Sequence, residues 1–420
     1  MRPLKRLIWN DLSTKINLKP EYVNDNTRNW SKQKYQTFWS DGAYGTICKE
    51  YDISYNEDKA FCYELQFDPR KMSEYEIFDK NNEHHLLNIN KVPANILDRV
   101  RNKKGFFVIS YITEGHTYPE VLKKIVEYFT HYNVPLKKII YITNSANGGS
   151  MIKKYIKRGE DRFHHIYYPC LFEDWGYVLK DNLYKYFPKK EIIKKDFLCF
   201  NHNHHTHRLY FYELMFRRGL VYNSYWSMPA EGYRGKYIDA LFDDDDTNAF
   251  RKRFGIQRDS VGASEKALPL KLDKFNLYKQ GPLSGNEHVY FASSMISLVT
   301  ETQFFREPIH ITEKTYKPIS FKHPFILIAS YGSLRHLKNF GFKTFDKWWD
   351  ESYDDIRDPS NRMAKLLDIC TEISKWSPGD KKVFLTEVQP ILEHNRNVLE
   401  TNVTRKNVID RKLINYKGLR

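Results

Sequence analysis

Two apolar segments of the chain, joined by a polar stretch that contains a short helix, constrain its fold most strongly. The run from Ile296 to Thr300 is apolar and rich in β-branched residues, and the run from His323 to Ala329 is apolar as well. Both are typical of buried strands. Between them Thr312 is suited to cap a helix, and Pro318 lies too deep for a long regular helix, so we expect a short, kinked one. The region therefore predicts a βαβ unit with two parallel strands.

The start of this helix combines groups that suit a nucleoside diphosphate. A helix N-terminus offers free N–H groups to an anion. Glu313 can accept hydrogen bonds from ribose hydroxyls, and the ammonium of Lys314 can neutralise phosphate. The spacing alone favours a simpler interpretation, a capped surface helix that carries an adjacent charge pair.

Length and composition describe a globular protein of two or three domains. The chain has 420 residues, of which 41% are hydrophobic. No run of 18 apolar residues occurs, and the N-terminal segment turns polar at Asn10, so we expect neither a transmembrane segment nor a secretory signal. Five cysteines without a CxxC pair argue against a disulfide framework and a zinc finger. These features favour a reduced, cytoplasmic protein.

The net charge of +15 has two interpretations. It can reflect a solvated, lysine-rich surface, or it can attract an acidic partner such as a nucleotide-sugar, a nucleic acid or an anionic lipid. Charge alone does not distinguish these partners.

Strands alternate with helices before residue 190, which predicts a parallel sheet in a Rossmann-like half. Ala60 to Phe67 alternates like an isolated strand, and Asn147-Gly148-Gly149 is interpreted as an ordinary turn because it is not a GxGxxG motif. The predicted strands are Phe106–Ser110, Lys138–Ile142 and His165–Tyr168, and the predicted helices are Glu120–Tyr132 and Ser150–Arg158.

A charged connector, residues 189–196, separates this half from a second one. We therefore predict a domain of residues 1–190 with an irregular N-terminal extension, a domain of residues 196–375, and a C-terminal helix with a basic tail in residues 376–420. The second half is predicted to contain a strand at Phe197–Phe200, a helix from Arg208 to Gly219, a variable insertion at 230–285, a helix at Ser333–Phe340 and a helix at Lys381–Leu399.

The polar loop from Asn201 to His207 lies between a predicted strand and a predicted helix, where open α/β sheets form ligand crevices. Its four histidines suggest a metal site, although no HExxH motif is present and adjacent loop imidazoles rarely converge. Arg208 at the helix start suggests phosphate binding, because a guanidinium suits phosphate oxygens. A solvated loop is the third interpretation.

A second loop, after the strand that ends near Ser110, contains Glu114 and His116. A carboxylate or an imidazole at this position can serve as the general base of a group transfer. Both can also be simple loop residues. The aspartates at 243–246 can bind a metal ion as a DxD loop does, but a solvated acidic loop is favoured because strands do not flank them.

Thr312-Glu313-Lys314, followed by the strand at Pro324–Ile328, resembles the donor-binding motif of the α1,3-fucosyltransferase family. It is more similar still to a group of fucosyltransferase-like proteins of bacteria and tailed phages. The resemblance covers residues 197–353 and includes Gly332–Leu334, Gly341–Phe345 and Trp349–Asp354.

This resemblance implies a GT-B fold, in which two Rossmann-like halves face each other across a crevice and a C-terminal helix crosses back. It implies a metal-independent, inverting transfer of a sugar from a UDP- or GDP-linked donor, without a further cofactor. The base is implied to be Glu114, with His116 in reserve, although the family usually follows its base with Ser-Pro and this chain does not. The implied donor-binding residues are Asn201, Arg208, Glu301, Thr312, Glu313 and Lys314. For Glu301 the sequence leaves open whether it contacts the donor or caps a loop.

The expected acceptor is a glycan, and the alternative is a hydroxymethylated base of phage-type DNA. Two hypotheses of other classes remain: a non-enzymatic nucleic-acid-binding protein, and a metal-dependent hydrolase built on the histidine loop. The sequence indicates neither the sugar, nor the nucleotide, nor the oligomeric state.

Overall fold

The computed structural model describes ten stretches of the chain, which form two compact units. The stretches up to residue 167 belong to the first unit, and those from residue 192 belong to the second. Glu114, His116, His202, His204 and the aspartates at 243–246 lie outside the described residues. The described stretches are 61–66, 94–102, 105–111, 117, 119–156, 162–167, 192–201, 205–227, 247–257 and 287–402.

The first unit is built on a sheet of four parallel strands in the order β1-β2-β3-β4. Its pairs run in register, for example Phe107 beside Ile139. The isolated strand predicted near Phe61 forms the edge of this sheet, parallel to β2. The strands are β1 (Phe61–Gln66), β2 (Gly105–Tyr111), β3 (Ile139–Thr143) and β4 (His164–Tyr167).

The helices of the first unit cover this sheet with apolar faces. Val121, Ile125 and Phe129 are buried in one core cluster with strand residues, as the helical spacing predicts, whereas Val126 is only partly buried. Pro119 occupies the first position of its helix, where its missing N–H costs nothing. The helices are α1 (Ala94–Asn102), α2 (Pro119–His131) and α3 (Gly148–Tyr155).

The interpretation of Asn147-Gly148-Gly149 as an ordinary turn holds for Asn147 but is wrong for the two glycines, because Gly148 begins α3. A Cβ atom on Gly148 would overlap the ring of His165 in β4. That ring is held in place by a hydrogen bond of 2.8 Å between its Nε2 and Thr143 Oγ1. The glycine therefore allows a helix and a strand to approach each other closely.

The second unit contains another sheet of four parallel strands, in the order β6-β5-β7-β8. The chain passes from β5 to β6 on one side and then returns to place β7 on the other side of β5. This reversal creates a topological switch point between β5 and β7, where open α/β sheets form a ligand crevice beyond the carboxyl ends of the strands. The strands are β5 (Lys195–Phe200), β6 (Ser224–Ser227), β7 (Ser294–Thr300) and β8 (Phe325–Ile328).

Helix α7 matches its prediction: it is short, contains Pro318, and has Thr312 as its N-cap, whose side chain accepts from the backbone N–H of Lys314. Gly219 follows α4 in a left-handed conformation, with φ of 72°. The helices of the second unit are α4 (Thr206–Arg217), α5 (Asn248–Phe254), α6 (Glu287–Ser293), α7 (Glu313–Ser320), α8 (Ser333–Asn339), α9 (Pro359–Ser374), α10 (Pro378–Glu387) and α11 (Gln389–Asn402).

Two predictions for the second unit need correction. Lys195 and Asp196 are not part of a connector but begin β5. The single helix predicted at Lys381–Leu399 is two helices, α10 and α11, separated at Val388. Pro390 explains the break, because it has no N–H to continue the hydrogen bonding of α10. Among the described residues, no helix has both the length and the apolar character needed to cross a membrane.

Replacing Gly148 with alanine tests the close contact between α3 and β4. The added Cβ must displace the His165 ring and disturb its bond to Thr143, so we expect Gly148→Ala to lower the free energy of unfolding by about 1–3 kcal/mol. Urea unfolding measures the change.

Gly149→Ala is the matched control, because the nearest atom to its added Cβ lies at 3.9 Å. We expect no loss there, and a gain of up to about 1 kcal/mol from helix propensity. Equal effects of the two substitutions would contradict the packing argument.

Candidate functional site

The candidate site lies at the carboxyl ends of β5 and β7, on either side of the switch point. Asn201 follows β5, and Glu301 follows β7. Helix α4 begins shortly after Asn201, and α7 begins at the end of the loop that follows Glu301. The sequence-predicted donor residues are therefore collected at one edge of one sheet.

Asn201 fastens three strand ends to one another. Its backbone N–H donates to the carbonyl of Ser227, at the end of β6, over 2.8 Å. Its Oδ1 accepts from the hydroxyl of Thr300, at the end of β7. Its Nδ2 lies 3.3 Å from the sulfur of Cys199 in β5. Because the residue is buried and its amide makes these contacts, it supports the edge rather than facing a ligand.

Glu301 is fully buried and caps the beginning of α7. One carboxylate oxygen accepts from the backbone N–H of Thr312 at 2.9 Å and from the hydroxyl of Thr315 at 2.6 Å. The other accepts from the hydroxyl of Thr312 at 2.6 Å. The sequence left open whether Glu301 contacts the donor or caps a loop, and these bonds assign it to capping. It holds Glu313 and Lys314 at the edge of the sheet.

Glu313 and Lys314 form a charged pair on the first turn of α7. Lys314 Nζ donates to Glu313 Oε1 at 2.9 Å and to Thr312 Oγ1 at 3.1 Å. The two side chains remain partly exposed, at 34% for Glu313 and 23% for Lys314. Burial raises the pKa of Glu313, but the charge and hydrogen bond of Lys314 outweigh it and bring that pKa to about 2. The carboxylate of Glu313 is therefore ionised at neutral pH, and both side chains are accessible.

Arg208 is the third residue of α4 and lies inside the protein, with 1% of its surface exposed. Its Nη2 donates to the carbonyl of Thr300 at 3.0 Å. Burial lowers the pKa of Arg208 to about 10, against the opposing charges of Glu301 and Glu313. The structure thus brings Arg208 to the same edge as α7, but beneath the surface rather than pointing outward as the sequence suggested.

His207 connects α4 to the loop that follows β7. It is buried, and its Nε2 lies 2.8 Å from the carbonyl of Glu301, so this nitrogen carries the hydrogen. Burial lowers the pKa of His207 well below its ordinary value, and the charge of Arg208 adds to the effect. The imidazole is therefore neutral and holds the loop to the helix.

Sequence reasoning missed three residues that organise this edge: Thr315, Phe304 and Arg362. The ring of Phe304 stacks on His207 at 5.6 Å between centroids, and the guanidinium of Arg362 lies 4.5 Å from the Phe304 centroid. Thr315 was recognisable, because it lies three residues after the N-cap, in reach of the same carboxylate. Phe304 and Arg362 carry no sequence signal, since 58 positions separate them.

Of the four histidines in the histidine loop, His205 and His207 are described, and their rings are stacked with centroids 5.9 Å apart. In the described stretches, no three or more His, Cys, Asp or Glu side chains are grouped so as to hold a metal ion.

The candidate bases, Glu114 and His116, lie outside the described residues. The strand before them ends at Tyr111. Thr117, which follows them, is buried and forms a hydrogen bond of 2.7 Å with Ser145, just beyond β3.

No protein-family model matches the chain, and no curated protein matches its sequence significantly.

The burial of His207 predicts a pH dependence of stability. The folded protein keeps this imidazole neutral, whereas the unfolded chain protonates it below its ordinary pKa of about 6.5. The unfolded state then binds one more proton, so the free energy of unfolding should fall with decreasing pH, by up to about 1.4 kcal/mol per pH unit. His207→Gln should remove this part of the slope in urea unfolding between pH 6.5 and pH 5.

His131→Gln is the control, because His131 is an exposed histidine of the first unit. It should leave the slope unchanged. An unaltered slope in His207→Gln would show that His207 does not titrate in this way.

Proposed function

We propose that this protein is a glycosyltransferase that takes a sugar from a nucleotide-sugar and transfers it to a hydroxyl group. One observation carries the proposal: the Glu313–Lys314 turn is held by buried Glu301 at the switch point of a parallel sheet, with Arg208 beneath it. That edge of such a sheet is where nucleotides bind in open α/β folds.

The charges at this edge fit the parts of a nucleoside diphosphate. The ionised carboxylate of Glu313 can accept hydrogen bonds from ribose hydroxyls, and Lys314 can turn its ammonium from Glu313 towards a phosphate oxygen. Arg208 can attract the diphosphate from beneath the surface, because the charge of a buried group is screened less than that of an exposed one. Two cations fixed near the leaving diphosphate stabilise its developing charge in the transition state.

The remaining steps follow from the resemblance to fucosyltransferases. We assign the two units to the two halves of a GT-B enzyme in the cytoplasm. Glu114, or His116 in its place, would take the proton of the acceptor hydroxyl while its oxygen attacks the anomeric carbon, which inverts the configuration. No metal ion is required in this scheme, since Lys314 and Arg208 stabilise the UDP or GDP that leaves.

We propose a glycan as the acceptor, because the motif resembles that of carbohydrate-modifying enzymes. A hydroxymethylated DNA base is the alternative acceptor, which the net charge of +15 favours. Transfer of labelled sugar to oligosaccharides and to hydroxymethylated duplex DNA distinguishes the two. A protein that binds nucleic acid but no nucleotide-sugar would instead be a non-enzymatic binding protein.

Lys314→Ala tests the diphosphate site. It removes a charged hydrogen-bond donor, so we expect calorimetry to show UDP or GDP binding weakened by about 1.5–3 kcal/mol, which is roughly 10- to 150-fold in Kd.

Lys375→Ala is the control, because Lys375 is an exposed lysine paired with Glu372 after α9. It should leave the Kd unchanged. The assignment of Lys314 fails if its alanine variant binds the nucleotide that the wild type prefers with unchanged affinity.

Glu114→Gln tests the base. The amide cannot take a proton, so we expect donor binding to persist while the transfer rate falls by roughly 10²–10⁴-fold. His116→Gln should retain the rate. If His116→Gln loses the rate and Glu114→Gln retains it, His116 is the base. If both variants transfer sugar at near-normal rates, neither residue is the base.

A further inference from the structure

The ammonium of Lys314 lies between two oxygen acceptors at the start of α7. Its Nζ donates to Glu313 Oε1 at 2.9 Å and to Thr312 Oγ1 at 3.1 Å. The hydroxyl of Thr312 donates in turn to the buried carboxylate of Glu301 at 2.6 Å, which leaves its oxygen to accept from Lys314. Lys314 is therefore bound to the interior of the protein on one side and to Glu313 on the other.

Of these two bonds, the one to Glu313 is the easier to exchange. Adjacent residues do not face each other on a helix, so this pair is not one of the spacings that stabilise a helix. Both side chains are partly exposed, and an ion pair that water reaches contributes little to stability. Thr312 is buried and is held by Glu301. A ligand can thus replace Glu313 on Lys314 while the bond to Thr312 remains.

A phosphate group by itself binds Lys314 at a disadvantage. It brings a second anion beside the carboxylate of Glu313, and like charges that share one site repel each other. Glu313 must then turn away from Lys314, which is the side-chain partner that its carboxylate has in this structure. A charged, partly buried group that loses its hydrogen-bond partner costs free energy. Pyrophosphate has no diol to replace that partner.

A nucleoside by itself has the opposite disadvantage. A vicinal diol donates to both oxygens of a carboxylate, and Oε1 of Glu313 already accepts from Lys314. When the diol displaces Lys314, the ammonium keeps Thr312 and loses its anion. A nucleoside has no anion to offer in exchange. A molecule that carries both a diphosphate and a ribose diol replaces both partners at once.

We infer that the Glu313–Lys314 pair determines specificity, because a ligand separates the pair without loss only if it brings a phosphate to Lys314 and a diol to Glu313 together. The inference rests on the proposed function and adds to it the reason why the site takes a whole nucleoside diphosphate. Each residue of the pair competes with the ligand for the other. Free pyrophosphate and free nucleosides are thus disfavoured by the same contact.

Calorimetric binding of uridine, guanosine, pyrophosphate, UDP and GDP tests the inference. Lys314→Met removes the group that competes with ribose, so it should lower the nucleoside Kd by roughly two- to fivefold, the range of an accessible ion pair, while it raises the Kd of UDP or GDP. Nucleosides are uncharged, so a changed net charge does not explain such a gain. Measurement at pH 8 keeps Glu313 ionised, because burial raises its pKa when Lys314 is absent.

The converse variant and the double variant complete the test. Glu313→Gln should lower the pyrophosphate Kd by roughly two- to fivefold and raise the nucleoside Kd. The double variant should bind UDP or GDP roughly two- to fivefold more weakly than the product of the single effects predicts. Each single variant already avoids the separation of the pair, and this saving is made only once. The cycle needs only nucleotide binding, so it decides even where nucleosides bind too weakly to measure.

Lys375→Met and Glu372→Gln are the controls, because these residues form an exposed ion pair at the end of α9, with 2.7 Å between Nζ and Oε1. They should change no Kd. The inference is overturned if Lys314→Met leaves nucleoside binding unchanged or weakens it, or if the single effects simply multiply in the double variant. If UDP or GDP binding then still depends on Lys314, the diphosphate site stands without the inference. A wild-type protein that binds neither nucleotide would overturn both.

Discussion

The second unit depends on one buried carboxylate. Glu301 is fully enclosed, and its two oxygens receive three hydrogen bonds from Thr312 and Thr315, with the charge of Arg208 nearby. A buried charge is tolerated only when it is paired and hydrogen-bonded, because its loss of hydration is costly. These partners can meet Glu301 only if Thr312 caps α7 and α4 brings Arg208 close to the end of β7. The geometry of the candidate site thus follows from the need to satisfy one side chain.

The same arrangement separates structural charges from accessible ones. Glu301 and Arg208 are enclosed, whereas Glu313 and Lys314 remain partly open to solvent one turn away. The enclosed charges set the position of the turn, and the open ones are available to a ligand. Charged groups held in advance by a surrounding structure need little reorganisation when a ligand arrives, which is how preorganised sites stabilise charge.

Much of this fold could be predicted from the sequence because local patterns encode it. The apolar runs at Ile296–Thr300 and Phe106–Ser110 became strands, and Thr312 capped a short helix that tolerates Pro318. The predictions that failed concern features that depend on residues far away in the sequence. Gly148 resembled a turn residue because nothing in the sequence places His165 against it. The break between α10 and α11 was missed because the apolar stripe of the sequence continues past Pro390 and therefore predicts one helix.

The candidate site is likewise divided into features that the sequence predicts and features that depend on residues far along the chain. Glu313, Lys314 and Arg208 were predicted to converge, because parallel strands bring their carboxyl ends to one edge of a sheet. Their exposure was not predictable, since Arg208 is enclosed by residues far along the chain, among them Thr300. The roles of Asn201 and Glu301 as internal supports also depend on partners that sequence spacing does not reveal.

Asn201 has a consequence for how such a protein can change over evolutionary time. Its backbone and side chain join the ends of β5, β6 and β7, so these strand ends are held to one another independently of the loops that leave them. Insertions and substitutions in those loops can then accumulate without moving the charged turn at α7. Variation in the loops at this edge thus becomes compatible with a constant geometry of Glu313 and Lys314.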